Sequence, residues 1–386
     1  MTNLDTFHQL TPDALHKMGG LKWSTHPEAL PAWVAEMDFG CAPPIIGAMH
    51  RAVDSTNFGY LPPSLRQAMS DACAEWLGTK FGWTVPSDSV RPLADVLTAY
   101  ELVINHFSDP DGAVIVPTPS YAPFLTIAAA LGRRVIELPM QVVAGRYVID
   151  PDDLEAAFID GGALLVLCDP HNPTGTVYTV EEHLEVAEIV HRHGGRVFAD
   201  AIHAPLVYPG QRHIPYASVS DVTAGHTVTA LSAAKGWNLA GLKAAQVILS
   251  NDADLATWAK VGGHAEVGAS TFGLVASTAA YSEGDPWLLE VMEYLDDTRH
   301  HVVRRFAEEL PQARVYVPEG TYFAWLDLSF AGLGDTTVDV LRERAAVTLT
   351  DGIPAGDGYA GFVRFNFGTP RPIVDLMIDR IVAALV

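Results

Sequence analysis

The middle third of the chain alternates short apolar runs with amphipathic stretches, an alternation that predicts a mostly parallel α/β sheet flanked by helices. The clearest unit opens with "ALLVLC" at 163–168, a continuous apolar run of strand length, and breaks at "DPHNPTG". Thr179 and Glu182 then stand at capping-box spacing, "VEEHLEVAEIVHRH" follows with the apolar period of a helix, and Gly194 ends it. "RVFAD", closing at Asp200, reads as the next strand. Upstream, "GAVIV" (112–116) ends in "PTPSYAPF"; downstream, "TVTAL" (227–231) ends in "SAAKGWNLAGLK". A further helix is predicted to begin near Val96, with Asp95 as its N-cap.

The two ends read differently. Residues 1–44 carry Pro, Trp and Gly without a clear period, whereas "PWLLEVMEYLDDTRHHVVRRFAEEL" is a long helical pattern, followed by strand-like "TYFAWLDL" and "GFVRFNFG" and a last helix. At 386 residues the chain exceeds the usual size of one domain. The expectation is a large domain over 45–284 with the parallel sheet, and a smaller α+β domain formed by 1–44 and 285–386.

Open α/β sheets bind ligands outside the carboxyl ends of their strands. Tyr121, Asn172, Asp200, Ser232 and Lys235 each fall just after a predicted strand, so one crevice can gather all five. Net charge narrows the partners: 24 Lys and Arg against 46 Asp and Glu give −22, which repels a phosphate backbone, so no nucleic acid is expected. Three scattered cysteines (Cys41, Cys73, Cys168) form no disulfide framework or metal motif. The first residues, "MTNLDTFHQL", lack the basic and apolar regions of a signal peptide, and no apolar run reaches about 18 residues. A soluble, cytoplasmic protein is expected. Fifteen histidines raise a metal site, but there is no HExxH, and "HRH" at 191–193 falls at a helix end where surface residues are expected.

A lysine for a Schiff base, an acid to hold a pyridinium proton, an amide, a stacking aromatic and phosphate donors together describe a pyridoxal 5′-phosphate site. The chain resembles the fold-type I pyridoxal phosphate enzymes, and among them the MalY/PatB group of cystathionine β-lyases. The likeness runs in order through "KW" (22–23), "WVAEMDF" (33–39), "FGY" (58–60), "PSYAPF" (119–124), "NPTG" (172–175), "DAIH" (200–203), "SAAKGWNLAGLK" (232–243) and "FVRFNFGTPR" (362–371). The resemblance implies Lys235 as the Schiff-base lysine and proton shuttle, its amine kept partly neutral by a crowded cationic site. It implies Asp200 at the pyridine nitrogen, Asn172 at the ring hydroxyl, Tyr121 stacked on the ring, and Ser232, Lys243 and the helix start at Val96 and Leu97 at the phosphate. Arg364, with Trp33, is expected to hold the substrate carboxylate, and Tyr60 to reach the phosphate of a partner subunit in a homodimer. Asp95 beside a phosphate is repulsive and reads more simply as the helix cap.

Three positions depart from the group's pattern: Ala201 where relatives often carry Glu, Glu36 where many have Asp, and His203 where many aminotransferases carry a cofactor-facing tyrosine. The implied activity is carbon–sulfur β-elimination from L-cystathionine or a related L-cysteine conjugate. The rival is transamination, which needs the same residues; "VGGHAEVGASTFG" (261–273) offers no arginine for a distal carboxylate, which disfavours an aspartate substrate. A non-catalytic cofactor-binding regulator would want a basic DNA-binding segment, and none is present.

Overall fold

The computed structural model describes residues 7–56 and 58–386. Its strands, in chain order, are β1 Leu30–Ala32, β2 Val90–Leu93, β3 Ala113–Thr118, β4 Val135–Pro139, β5 Gln141–Val143, β6 Arg146–Val148, β7 Gly162–Cys168, β8 Arg196–Asp200, β9 Thr227–Leu231, β10 Ala245–Leu249, β11 Arg314–Val315, β12 Phe323–Asp327, β13 Val347–Asp351 and β14 Phe362–Asn366. Seven of them form one sheet in the order β2-β10-β9-β8-β7-β3-β4, with β5 and β6 as a separate hairpin. Strands β9, β8, β7, β3 and β4 are mutually parallel, and β10 is reversed, antiparallel to both β2 and β9. The mostly parallel sheet agrees with the α/β expectation; the reversed β10 is not among the strands read from the apolar pattern.

Side-chain alternation along these strands feeds two cores. Val114, Val116, Leu164, Val166 and Phe198 face one side, against Tyr100, Val103, Ile104 and Phe124. Ile115, Leu165, Leu167, Val197 and Ala199 face the other, against Leu154, Phe158, Val186 and Ile189. A sheet covered on both faces has continuously apolar strands, which is why "ALLVLC" shows no alternation. The helix Val180–Arg192 starts where Thr179 and Glu182 close a reciprocal capping box, as their spacing predicts. At its carboxyl end, His191 and His193 are exposed. Five other histidines, at 171, 183, 203, 213 and 226, are buried, which the sequence pattern did not indicate.

A second sheet, β1-β13-β14-β12-β11, draws its edge strand β1 from near the amino terminus and the rest from the carboxyl-terminal third. β1 pairs parallel with β13; the other neighbours are antiparallel. Val363 and Phe365 of β14 pack into the core under the helices Asp285–Glu309 and Arg371–Leu385. The period of two therefore sends Arg364 and Asn366 to the opposite face, where both donate to carbonyls of the segment 33–36. No helix of the described residues is long and apolar enough to cross a membrane.

That segment is anchored by a buried ion pair. Lys22 Nζ donates to Asp38 Oδ2 at 2.8 Å, with the side chains 1% and 4% exposed. The same ammonium reaches the Glu36 carbonyl at 3.2 Å, and the Trp23 indole N–H donates to Asp38 Oδ1 at 2.9 Å. The pair is therefore satisfied on both sides, the condition under which buried charge is tolerated. Asp38→Ala strands the Lys22 ammonium in the core and is expected to lower stability by about 3–5 kcal/mol; urea unfolding followed by circular dichroism measures it, and a loss below about 1 kcal/mol would refute the role given to the pair.

Candidate active site

Strand register brings the expected residues together. Cys168 pairs with Asp200 across β7 and β8, and Asp200 with Ala230 across β8 and β9, so the carboxyl ends of three parallel strands lie level. The chain leaves β3 outward to the edge strand β4 and then returns to place β7 on the other side of β3. Such a reversal opens a crevice at the strand ends, and Tyr121 and Asn172, which follow β3 and β7, flank it. A pocket of about 230 Å³ lies there. Tyr121, Asn172, Asp200 and His203 line it, together with Ser232, Lys235 and Lys243, and the helix start at Val96 and Leu97.

Each wall is fixed locally. Asp200 is 4% exposed, accepts from the Ile202 N–H at 3.0 Å and lies 3.7 Å from the Cys168 thiol. It has no cationic partner in hydrogen-bond contact among the described residues. Burial pushes its carboxyl up to about 6, against the two donors and the more distant Lys235. Lys235 Nζ donates to the Ala35 carbonyl at 2.9 Å. Burial, and after it repulsion from Arg364, brings its amine down to about 8, so desolvation outweighs the cationic crowding expected from the sequence. His203 is held neutral by burial, with Lys235 and Arg364 adding to the effect, and its Nδ1 has no partner among the described residues.

Arg364 is buried and brought down to about 10 by desolvation. Its Nη1 donates to Asn172 Oδ1 at 2.9 Å, its Nη2 to the Trp33 carbonyl at 3.0 Å, and it forms no ion pair among the described residues. A guanidinium only donates, so Asn172 must turn its oxygen to Arg364, which leaves the amide N–H₂ to face elsewhere. The "NPTG" turn ends at Gly175, whose φ is +75° and where a Cβ would come within 2.4 Å of Pro318. Only glycine suits both constraints.

One end of the pocket is built from the start of the helix Val96–His106. Asp95 caps it, accepting from the Thr98 N–H at 2.9 Å, and its other oxygen accepts from Lys243 at 3.1 Å. The carboxylate that looked repulsive is thus a cap already paired with a cation. Lys243 adopts φ +49°, a left-handed conformation uncommon outside glycine. The Ser232 hydroxyl caps its own short helix through Ala234 N–H and donates to the Ala244 carbonyl at 2.7 Å, so its proton is already committed.

Three expected residues stand outside the pocket walls: Arg364, which reaches the wall through Asn172 Oδ1, Tyr60 and Trp33. Tyr60 is 95% exposed and is not among the pocket walls. Trp33 contributes its backbone: its indole N–H donates to the Lys22 carbonyl, and its own carbonyl accepts from Arg364 and from the Thr350 hydroxyl at 2.7 Å. Sequence reasoning missed Ala35, whose part is played by a carbonyl that every residue owns. It also missed Asn238, whose amide donates to the Met37 carbonyl while its oxygen accepts from the Met37 N–H.

The model for "Aminotransferase class I and II" matches residues 34–381. The chain belongs to the class I and II aminotransferase family. Within that family it is 37% identical over 368 residues to a cystathionine β-lyase of Corynebacterium glutamicum, covering 95% of this chain and 96% of the relative. It is 34% identical over 361 residues to the cystathionine β-lyase PatB of Bacillus subtilis, covering 93% of each. Its fold superposes with a TM-score of 0.92 on a crystal structure described as a PLP-dependent β-cystathionase from Corynebacterium diphtheriae, at 34% identity over 97% of this chain and 98% of that one.

The family's cofactor is tested by what the pocket leaves unpaired. A buried carboxylate without a cation suits a pyridinium N–H, and an amine brought down to about 8 suits condensation with an aldehyde. A helix start with a lysine beside it suits a phosphate. These residues fit pyridoxal 5′-phosphate.

The unpaired Asp200 costs folding energy in the cofactor-free protein. A carboxyl raised from 3.8 to about 6 carries no penalty below the lower value; the penalty grows as pH rises between the two and is complete above the upper. It amounts to about 3 kcal/mol. Cofactor-free Asp200→Asn is therefore expected to be more stable than wild type by about 1–3 kcal/mol at pH 7.5 and to lose that advantage near pH 4. Urea unfolding at the two pH values tests this; equal stability at pH 7.5 would contradict it.

Proposed function

We propose that this chain is a pyridoxal 5′-phosphate-dependent carbon–sulfur β-lyase that converts L-cystathionine, or related L-cysteine S-conjugates, to a thiol, pyruvate and ammonia. The observation that carries the reading is the convergence of buried Asp200 and half-buried Lys235, without a mutual ion pair, on one pocket, with buried Arg364 bonded to its wall residue Asn172. The relatives named cystathionine β-lyase, similar along nearly the whole chain, support elimination over transamination, for which the same residues would serve.

When bound, the cofactor supplies an electron sink for the pair left on the substrate Cα. Asp200 would hold its ring nitrogen protonated, which would keep that sink strong. The Asn172 amide would donate to the ring hydroxyl, Tyr121 would cover the ring, and Lys243 with the N–H groups of Val96 and Leu97 would hold the phosphate. Arg364 binds the substrate carboxylate through parallel hydrogen bonds and so orients the Cα–H bond toward Lys235. The Lys235 amine takes that proton, the electron pair moves to expel the β-thiolate, and hydrolysis of the remaining three-carbon fragment yields pyruvate and ammonia.

In this reading Tyr60 serves the phosphate of a second copy of the chain, which makes the working unit a homodimer. The three cysteines are free thiols, which supports a reducing, cytoplasmic setting.

Purified protein is expected to release thiol and pyruvate from L-cystathionine in equal amounts without any keto acid. Lys235→Ala should abolish release, and Arg364→Lys should lower kcat/KM by about 100-fold or more through loss of the bidentate grip. Turnover that needs a keto acid would overturn the lyase reading in favour of transamination. Shared sites predict a further result: Tyr60→Ala and Lys235→Ala, each nearly inactive alone, should recover about a quarter of wild-type activity when unfolded and refolded together, because half of the dimers are mixed and each holds one intact site. No recovery would rule out Tyr60 acting across subunits.

A further inference from the structure

The segment from Trp33 to Met37, which touches the pocket at Ala35, is a strap whose carbonyls are claimed by side chains. The Trp33 carbonyl accepts from Arg364 and Thr350, and those of Val34 and Glu36 from Asn366 Nδ2 at 2.6 and 2.9 Å. The Met37 carbonyl accepts from Asn238. At Ala35 the pattern changes, because one of its two donors is Lys235 itself at 2.9 Å and the other is the Tyr322 hydroxyl, also at 2.9 Å. Tyr322 is fully buried just ahead of β12, and its ring packs edge-on against Phe323.

We propose that Tyr322 is a positioning residue for the proton transfer: its hydroxyl fixes the Ala35 carbonyl as the resting acceptor for the Lys235 amine once the lysine is free. The inference rests on Lys235 acting as the base. A carbonyl oxygen only accepts, so an amine bound to it through one N–H keeps its lone pair directed away, available to the substrate Cα–H. After the lysine has taken the proton, the ammonium keeps the same acceptor, so proton uptake demands no rearrangement of the strap. Tyr322 itself exchanges no proton in this scheme, since burial pushes its phenol well above its ordinary range and it stays a neutral donor. Without the hydroxyl, Lys235 is the one remaining donor to that carbonyl among the described residues, and the peptide plane is free to tilt.

Tyr322→Phe removes the hydroxyl and keeps the ring. In the loaded enzyme it is expected to lower kcat for L-cystathionine about five- to twentyfold with KM unchanged, because Arg364 is untouched and orientation at the reacting atom is lost. The primary isotope effect on kcat with Cα-deuterated L-cystathionine should rise as proton removal becomes limiting. A second readout needs no cofactor. Competitive acetylation of the cofactor-free protein, read by mass spectrometry, should place the Lys235 midpoint near 8 in wild type. In Tyr322→Phe the midpoint should fall by about half a unit, since a looser carbonyl stabilises the ammonium less. Tyr322→Leu supplies a second hydroxyl-free chain should Tyr322→Phe not fold, as judged by circular dichroism. An isotope effect and a midpoint both at wild-type values would overturn the proposal, even if kcat fell, because the hydroxyl would then be mere packing. Elimination by Lys235→Ala would instead sink the lysine reading, so the two failures are distinguishable.

Discussion

The pocket depends on the level register of β7, β8 and β9. Parallel pairing of Cys168 with Asp200 and of Asp200 with Ala230 ends three strands on one line, and the residues that follow have nowhere to go but the same edge. A slip of one residue would turn Asp200 away and send its neighbours into the wrong core, since successive side chains alternate between the two faces. The apolar cores on both sides, with Phe198 facing one way and Val197 and Ala199 the other, hold that register.

Around this edge stands a set of charges that the rest of the molecule leaves without direct ionic partners, Asp200 and Lys235 at the strand ends and Arg364 on β14 of the second sheet. Asp200 and Arg364 are buried and Lys235 is half-buried, and desolvation is the first cause of the shift of each. Elsewhere the chain treats buried charge differently: Lys22 and Asp38 satisfy each other at 2.8 Å. The contrast suits the proposed site, because groups that would receive a cofactor and a substrate stay unpaired until those arrive. The strap anchored by Lys22 and Asp38 then meets the site through backbone carbonyls, which satisfy Arg364 and Lys235 without neutralising them.

Much of this was legible in the chain. Strand ends were marked by polar residues after apolar runs, so the convergence of Tyr121, Asn172, Asp200, Ser232 and Lys235 could be stated before any coordinates. Thr179 with Glu182 and Asp95 ahead of Val96 announced two helix starts, because capping is a local matter of three or four residues. Asp95 shows the limit of the same reasoning: the cap was legible, but its second bond to Lys243 spans 148 residues. Trp33 and Ser232 show another limit, since their positions were found and their hydrogen bonds were not.

By itself, then, the sequence determined what depends on neighbours along the chain: which runs become strands and helices, where each starts and stops, and which chemistry-bearing residues sit at the ends. Only the tertiary structure decided what depends on groups far apart in sequence. It reversed β10, buried five histidines, gave Arg364 and Asn366 the carbonyls of a strap more than three hundred residues away, and put Tyr322 and Lys235 on one oxygen. The physical reason is that a carbonyl is the same in every residue. Its role comes from which donor the fold brings within reach, and no residue type announces that in advance.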